Sequence, residues 1–201
     1  MQIADVHLAN PTILAPLAGI SNLPLRLLAK EAGCGLVCSE MVSSNGLVYG
    51  SEKTRLLLQS CPEERPLSVQ IFGADPGMMA EAAQLVAESG ADIIDINCGC
   101  SVKKILKSGS GSALMRQPEL AERVLRAVVA AVDLPVTLKI RSGWEPDASQ
   151  ALTIARIAEE SGIAALAVHP RTATQGFRGR ADWAVIGRVK ALVGIPVIGN
   201  G

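Results

Sequence analysis

The sequence predicts an α/β protein built on a parallel sheet, and three features of the chain support this prediction. Short apolar runs recur without the alternation of a half-exposed strand, which indicates strands that are buried on both faces. Stretches with helical periodicity separate these runs, so the repeating unit is a strand followed by a helix. Polar residues stand at the ends of the predicted strands, where parallel barrels place their ligand-binding residues.

Predicted strands and helices alternate from residue 12 onwards. The strands cover residues 12–16, 35–41, 67–73, 91–97, 135–141, 164–169 and 196–201. The helices cover residues 23–32, 77–89, 118–132, 148–162 and 182–194. Gly90 and Gly162 suit helix ends, and Pro118 suits a first helical turn. A polar stretch over 51–65 and a glycine-rich loop that runs to Ser112 carry no predicted element.

Seven predicted strands with helices between them suggest a (β/α)8 TIM barrel that is truncated after its seventh strand. The alternative is an open doubly wound sheet, which would carry a phosphate-binding loop after its first strand. That segment, A-P-L-A-G-I-S, has no G-x-G-x-x-G, and the later K-S-G-S-G-S-A-L lacks a third glycine. A barrel cut after seven strands exposes two sheet edges, so we expect the chain to be part of a longer protein.

The polar strand-end residues favour the barrel, because barrels build their sites at that rim. They are Glu40, Gln70, Asn97, Lys139, Arg141, His169 and Asn200.

Composition excludes several classes of function. The 201 residues include 19 Lys and Arg and 19 Asp and Glu, so any basic surface for nucleic acid must be local. Two Trp, one Tyr and two Phe are too few for a base-stacking platform. The start of the chain has no signal-peptide pattern, and no apolar stretch reaches the roughly 18 residues of a membrane span.

The five cysteines indicate reduced thiols and a cytoplasmic location, since their number is odd and no secretory feature accompanies them. Cys34 and Cys38 have a C-x3-C spacing, but Cys98 and Cys100 are too close together to repeat it. We therefore expect no zinc site and no other metal centre.

Several rim residues suggest one ligand. Lys139 ends an apolar strand and is either a snorkelling structural charge or a cation over a bound anion. Gln70 and Asn97 suit the edge of a planar heterocycle, although each could instead hold a loop. With His169 they form a polar ring, and the glycines around Asn200 suit a phosphate at the end of the seventh strand.

The segment D-I-N-C-G-C-S-V-K-K places two thiols where a strand ends. The glycine permits a bend, so Cys98 could pack in the barrel wall while Cys100 projects over the site. Lys103 and Lys104 follow closely, and neighbouring cations make a thiol a more usable acid or nucleophile. The alternative is that both cysteines are small buried hydrophobes.

This segment resembles the signature of the tRNA-dihydrouridine synthases. Further segments match the family in order: A-P-L-A-G-I-S, S-E-M-V, V-Q-I-F-G, S-G-S-G-S-A-L-M, V-T-L-K-I-R-S-G-W, V-H-P-R-T-A-T-Q-G-F-R-G-R-A-D-W and P-V-I-G-N-G. Two positions depart from the family pattern: Ser101 stands where proline is usual, and Pro170 where a small residue is usual.

The resemblance implies an FMN enzyme that reduces the C5–C6 double bond of selected uridines in tRNA, with NADPH as the reductant. Residues 1–201 would be an incomplete FMN-binding TIM-barrel catalytic domain, and a helical tRNA-binding domain would follow it. In this family reduced flavin delivers hydride to C6 of the uracil. A monomer that binds tRNA but neither a membrane nor a metal is expected.

The resemblance also implies roles for individual residues. Cys100 would donate a proton to C5 of the uracil. The flavin would be bound by Pro16, Leu17, Ala18, Gln70, Lys139 and His169, with Asn200 and Gly201 near its phosphate. Asn97, Arg141 and Arg171 would face the uracil or its nucleotide. Arg178, Arg180, Lys103, Lys104 and Lys107 could form a local phosphate-binding rim, although each alone suits a solvated surface equally well.

Two other readings remain at this point. A related FMN barrel could act on a small pyrimidine such as dihydroorotate, although K-I-R and H-x-R-T fit the tRNA enzymes better. The non-enzymatic alternative is an inactive fragment that binds RNA or acts as a scaffold.

Overall fold

The structure, a computed structural model, describes residues 1–145 and 149–201. It begins with a feature that the sequence did not predict, an antiparallel hairpin of β1 (Gln2–Ile3) and β2 (Val6–His7). Ile3 on this hairpin is buried, together with Leu8 just beyond it. Both belong to a small apolar cluster that also contains Leu36, Ile93 and Ala165, the first residues of three strands. The hairpin therefore covers the amino-terminal end of the sheet.

One parallel sheet forms the centre of the molecule, and its seven strands confirm the seven predicted ones. They are β3 (Ile13–Leu14), β4 (Leu36–Cys38), β6 (Leu67–Phe72), β7 (Ile93–Cys98), β8 (Val136–Arg141), β9 (Ala165–His169) and β10 (Val197–Gly199). They pair in that order, and a two-residue strand, β5 (Val42–Ser43), adds to β6. The curled sheet has β3 and β10 at its two ends in the described part of the chain.

Eight α-helices occur in the described residues: α1 (Leu23–Glu31), α2 (Ser44–Val48), α3 (Glu52–Arg55), α4 (Pro76–Glu88), α5 (Lys103–Lys107), α6 (Pro118–Ala131), α7 (Ser149–Glu160) and α8 (Ala184–Leu192). The five predicted helices are present with their ends within two residues of the predicted ones, and the predicted start at Ala148 lies outside the described residues. The short helices α2, α3 and α5 were not predicted, since each is about one turn long. None of the described helices has the length and apolar character needed to cross a bilayer.

Capping explains where two of the longer helices begin. The side chain of Asn22 accepts a hydrogen bond from the Leu25 N–H at 3.2 Å, and Asp75 accepts one from the Met78 N–H at 2.9 Å. Each side chain satisfies a donor that the first helical turn leaves free.

The main hydrophobic core lies between the sheet and its helices, and Val86, Val128 and Ala158 are examples of its helical side chains. The other face of the sheet carries apolar residues where the strands begin and polar residues where they end. Because successive side chains of a strand alternate between faces, the inward-facing residues are two apart, such as Asp95 and Asn97. Pairing sets Gln70 beside Asp95 and Asp95 beside Thr137, and Asn97 stands beside Lys139. This register assembles the polar end of the barrel.

A buried ion pair ties α1 to the turn at Pro62–Glu64. The guanidinium of Arg26 contacts both carboxylate oxygens of Glu64, with Nη2 at 3.1 Å from Oε1, and both side chains are almost fully buried. Nη1 of Arg26 also donates to the Ser21 carbonyl at 3.0 Å. The Ser21 hydroxyl in turn accepts from the Leu17 N–H at 2.9 Å, so the ion pair supports the loop after β3.

Candidate functional site

A cavity of about 550 Å³ opens at the carboxyl ends of the strands. The twelve residues that the sequence analysis selected all line it: Pro16, Leu17, Ala18, Gln70, Asn97, Cys100, Lys139, Arg141, His169, Arg171, Asn200 and Gly201. Their convergence follows from the parallel sheet, in which every strand end lies on the same rim. Glu40 is absent from the lining, and its carboxylate instead accepts a hydrogen bond from the Gly19 N–H. The individual roles of the twelve residues remain predictions.

The two thiols of the signature segment have different surroundings. Cys98 is only 1% exposed and is part of the main core. Burial raises the pKa of its thiol to about 12, and the nearby Asp95 carboxylate acts in the same direction. Cys100 is half-buried and lines the cavity. Cys98 therefore behaves as a small apolar side chain, and Cys100 is the thiol that a ligand in the cavity can reach.

Cys100 is held in place by its own backbone. Its N–H donates to Oδ1 of Asn97 at 2.9 Å, and its carbonyl accepts from the Ser112 N–H at 2.9 Å and from the Ser112 hydroxyl at 3.0 Å. Asn97 Oδ1 also accepts from the Gly99 N–H at 3.1 Å. The bend after β7 is thus fixed on both sides of the thiol.

Arg141 is the buried cation beside this bend. Its Nε donates to the Gly99 carbonyl at 2.8 Å, and its Nη1 donates to the carbonyls of Thr172 and Gly176 at 3.0 and 2.8 Å. The guanidinium therefore joins the Cys100 loop to the loop after β9.

The lysines of α5 lie in a different environment from Arg141. Lys103 and Lys104 are exposed, whereas Arg141 is 6% exposed and interacts electrostatically with Cys100. An exposed lysine keeps its hydration shell, whereas the guanidinium of Arg141 has lost most of its contact with water.

His169 presents a free acceptor to the cavity. Its Nδ1 lies 3.0 Å from the Asn200 carbonyl oxygen, which can only accept, so Nδ1 carries the proton. Its Nε2 is buried and has no partner among the described residues. Burial lowers the pKa of His169 to about 4, and the nearby cations Arg141, Lys139 and Arg171 act in the same direction. The neutral ring therefore offers Nε2 as an acceptor for a ligand N–H or O–H.

Lys139 places a positive charge at the floor of the cavity. It also lines a smaller interior space of about 100 Å³, which Asp95 and Thr137 share. Burial lowers the pKa of the Lys139 ammonium, while the Asp95 carboxylate opposes this change. The ammonium is thus a partly dehydrated cation, which suits an anionic or electron-rich ligand edge.

Sequence reasoning missed two groups of residues around the cavity. The first is apolar and surrounds the mouth: Ile20, Met41, Val102 and Phe177. Phe177 is 85% exposed, and the guanidinium of Arg141 lies 5.7 Å from the centre of its ring. The second is the pair Asp95 and Thr137 beneath the floor. A signal for that pair was present, because both stand two residues before a selected strand-end residue and so face inward.

Metal binding has no support in the residues that the structure describes. Among them no three His, Cys, Asp or Glu side chains are grouped so that they could hold an ion.

Solved structures share this fold. A variant of NCR from Zymomonas mobilis superposes with a TM-score of 0.66 at 15% identity, over the whole of this chain and 77% of that one. Morphinone reductase superposes with a TM-score of 0.68 at 12% identity, over the whole of this chain and 78% of that one. At such identities the likeness concerns the fold alone.

Sequence relatives are much closer. The chain is 50% identical over its whole length to a tRNA-dihydrouridine synthase B of Xanthomonas campestris pv. campestris, and 49% identical to one of Pseudomonas aeruginosa. It spans about 60% of the length of these curated relatives. The family model for dihydrouridine synthase (Dus) matches residues 13–201. With this match and the cavity that its motifs line, the chain belongs to the dihydrouridine synthase family.

Proposed function

We propose that the chain is the flavin-binding catalytic part of a tRNA-dihydrouridine synthase. It reduces the C5–C6 double bond of selected uridines in tRNA, with FMN as its cofactor and NADPH as the reductant. The observation that carries this proposal is the single cavity in which Cys100, Lys139 and His169 meet, in a chain whose relatives at about 50% identity bear that name.

The cavity residues fit FMN on three grounds. Pro16, Leu17 and Ala18 form an apolar wall against which a planar ring can pack. Gln70 and Lys139 supply an amide and a cation for the polar edge of the ring. His169 Nε2 is a buried acceptor without a protein partner, which a hydroxyl or N–H of the cofactor would satisfy. Asn200 and Gly201, at the end of β10, are proposed to lie near the phosphate.

The chemistry divides between cofactor and protein. When bound, FMN supplies the hydride for C6 of the uracil. Cys100 holds the proton for C5 on its Sγ, and its thiol is the group that can act as the acid at this end of the cavity. Proton donation leaves a thiolate, and Arg141, whose Nε donates to the carbonyl of the adjacent Gly99, is a cation that lines the same cavity. Asn97 fixes the position of Cys100 through the backbone.

The tRNA contacts are proposed to lie on the loop after β9. Arg178 and Arg180 are exposed there, and Arg171 lines the cavity mouth. This local cluster supplies positive charge although the whole chain has none in excess. We propose that the protein acts as a cytoplasmic monomer, and that a helical domain beyond residue 201 contributes to tRNA binding.

The test uses the full-length protein purified with its flavin. Absorbance should show bound FMN, and NADPH should bleach it without oxygen. Unmodified tRNA should then restore the oxidised spectrum and acquire dihydrouridine, whereas free uridine and orotate should not.

Two outcomes contradict the proposal. Reoxidation by orotate but not by tRNA would assign the protein to the small-pyrimidine enzymes. Failure of the purified protein to bind FMN at all would leave only a role without flavin chemistry.

A further inference from the structure

A chain of hydrogen bonds runs from the Cys100 loop into the interior of the barrel. The Cys100 N–H donates to Asn97 Oδ1 at 2.9 Å, and Asn97 Nδ2 donates to Gln70 Oε1 at 2.8 Å. Gln70 Nε2 then donates to Asp95 Oδ2 at 2.6 Å. The other oxygen of Asp95 accepts from the Thr137 hydroxyl at 2.7 Å. We call this chain the amide relay; it comprises Asn97, Gln70 and Asp95.

The direction of the amide relay is imposed by its first member. A backbone N–H can only donate, so it requires the oxygen of Asn97 and turns the nitrogen of Asn97 towards Gln70. Gln70 must then accept with its oxygen and donate with its nitrogen. The relay therefore has to end on an acceptor. Oδ2 of Asp95 is an acceptor when the carboxyl group is ionised, and it remains one when the group is protonated on Oδ1.

Burial makes this constraint strong. Gln70 is 1% exposed, Asp95 5% and Asn97 7%. An amide turned the wrong way in such a place would oppose two donors or two acceptors and leave a buried polar group unsatisfied. Strand pairing holds the members together, since Gln70 and Asp95 are register partners on β6 and β7.

We propose that Asp95 is a positioning residue whose acceptor oxygen fixes the orientation of the Gln70 and Asn97 amides, and through them the position of Cys100. Each amide keeps one nitrogen-bound hydrogen that the relay does not use. Both side chains line the cavity, so they offer donors to carbonyl oxygens of a pyrimidine-type ring bound there. The identity of that ring rests on the proposed function, whereas the relay itself requires no ligand.

The experiment compares Asp95→Asn with Asp95→Leu, two side chains of similar volume. Asparagine keeps an oxygen for Gln70 and can donate its own N–H to the Thr137 hydroxyl, whereas leucine offers no acceptor. The measured quantity is the rate at which iodoacetamide alkylates Cys100 in FMN-free protein, read by fragment mass spectrometry. Buried Cys98 is the reference in the same peptide, and thermal unfolding checks that each variant is folded.

We expect the alkylation rate of D95N to stay within about twofold of the wild type, and that of D95L to change by about fivefold or more, as the loss of one buried hydrogen-bond acceptor implies. FMN affinity should follow the same order. If D95L does not fold, Gln70→Met breaks the relay at its middle and should change the alkylation rate in the same way.

An unchanged alkylation rate in D95L or Q70M would overturn the proposal. An equal change of the rate in D95N and D95L would also overturn it, because the acceptor oxygen that asparagine keeps would then make no difference. Failure of the proposed function would be seen in a different measurement, since the wild type would then not bind FMN or reduce tRNA. The alkylation rates of FMN-free protein would still test the amide relay.

Discussion

Two cysteines separated by a single glycine show how strongly position decides chemistry. Cys98 is the last residue of β7 and lies in the core, where burial raises the pKa of its thiol. Cys100 comes after the bend and lies in the cavity. The same side chain is therefore inert at one position and accessible at the other.

The first prediction follows from this contrast. Cys100→Ala should leave FMN bound but lower uridine reduction by about 10²-fold or more, since a positioned acid contributes about that much. Cys98→Ala should keep most of the activity and lose only about 1 kcal/mol of unfolding free energy. Flavin absorbance, dihydrouridine content of tRNA and urea unfolding measure the three quantities. Equal losses of activity in both variants would refute the assignment of Cys100.

The second prediction concerns pH. The pKa of His169 in the folded protein is lowered to about 4 from its ordinary 6.5, so the unfolded chain takes up a proton first as the pH falls. The neutral His169 ring costs the folded state nothing above pH 6.5. As the pH falls from 6.5 towards about 4, protonation of this histidine in the unfolded chain lowers the free energy of unfolding. Urea unfolding at about pH 7 and about pH 5 should show a smaller loss in His169→Gln than in the wild type.

The control for this measurement is His7→Gln, which removes the exposed histidine of the N-terminal hairpin. Each variant is compared with the wild type because other groups also change stability with pH. Burial raises the pKa of Asp95, for example, so protonation of Asp95 favours the folded state as the pH falls, whereas protonation of His169 opposes it. An identical pH dependence in H169Q and the wild type would contradict the second prediction.

At the scale of one element, the loop between β7 and α6 shows why glycine recurs there. Gly109 and Gly111 both have positive φ, at 75° and 65°, a region that other residues enter at a cost. Only Gly111 packs against the signature segment. A Cβ there would lie 2.6 Å from the Cys100 carbonyl oxygen, whereas one at Gly109 would meet its nearest atom, the Ala74 Cβ, at 3.5 Å.

The third prediction uses this pair of glycines. Gly111→Ala and Gly109→Ala should both lose roughly 1 kcal/mol of stability from backbone strain. Gly111→Ala alone should also displace Cys100, because the new methyl group has to push its carbonyl away. Iodoacetamide alkylation of Cys100 should therefore change in G111A and stay at the wild-type rate in G109A. The same rate in both variants would show that the contact does not position the loop.

At the scale of the whole molecule, residues far apart in the chain hold the cavity wall. Arg26 and Glu64 are 38 positions apart and form a buried ion pair. The same guanidinium reaches the Ser21 carbonyl, and Ser21 contacts Leu17 in the cavity wall. Removal of one partner leaves the other charge buried and uncompensated, which is costly in a dry interior.

The fourth prediction is that Arg26→Ala loses about 3–5 kcal/mol of unfolding free energy. The exposed pair Arg126 and Glu122 is the matched control, and Arg126→Ala should lose about 0.5 kcal/mol or less. Denaturant unfolding gives both values. The double change Arg26→Met with Glu64→Leu should recover much of the loss, since it removes both charges. No recovery would indicate that the contact with Ser21, and not the uncompensated charge, dominates.

Local patterns were enough to predict the strand order and the longer helices. The strands are continuous apolar runs, such as the residues around Ile93, because both faces are covered. The ends of the longer helices were predicted to within two residues, and glycines such as Gly90 and Gly162 mark where two of them stop. The hairpin at Ile3 was not predicted, since a two-residue strand leaves too little periodicity to recognise. The short helix α5 was missed for the same reason.

The amino-acid sequence, through its ordered motifs and strand ends, was sufficient to predict the family, the parallel sheet and twelve of the residues that line the cavity. Only the tertiary structure decided which of the two thiols is buried, that Arg141 joins the Cys100 loop to the loop after β9, and that Asp95 ends the amide relay. The reason is that local periodicity encodes the face on which a side chain lies, whereas hydrogen-bond partners and hydration depend on strands brought together from distant parts of the chain.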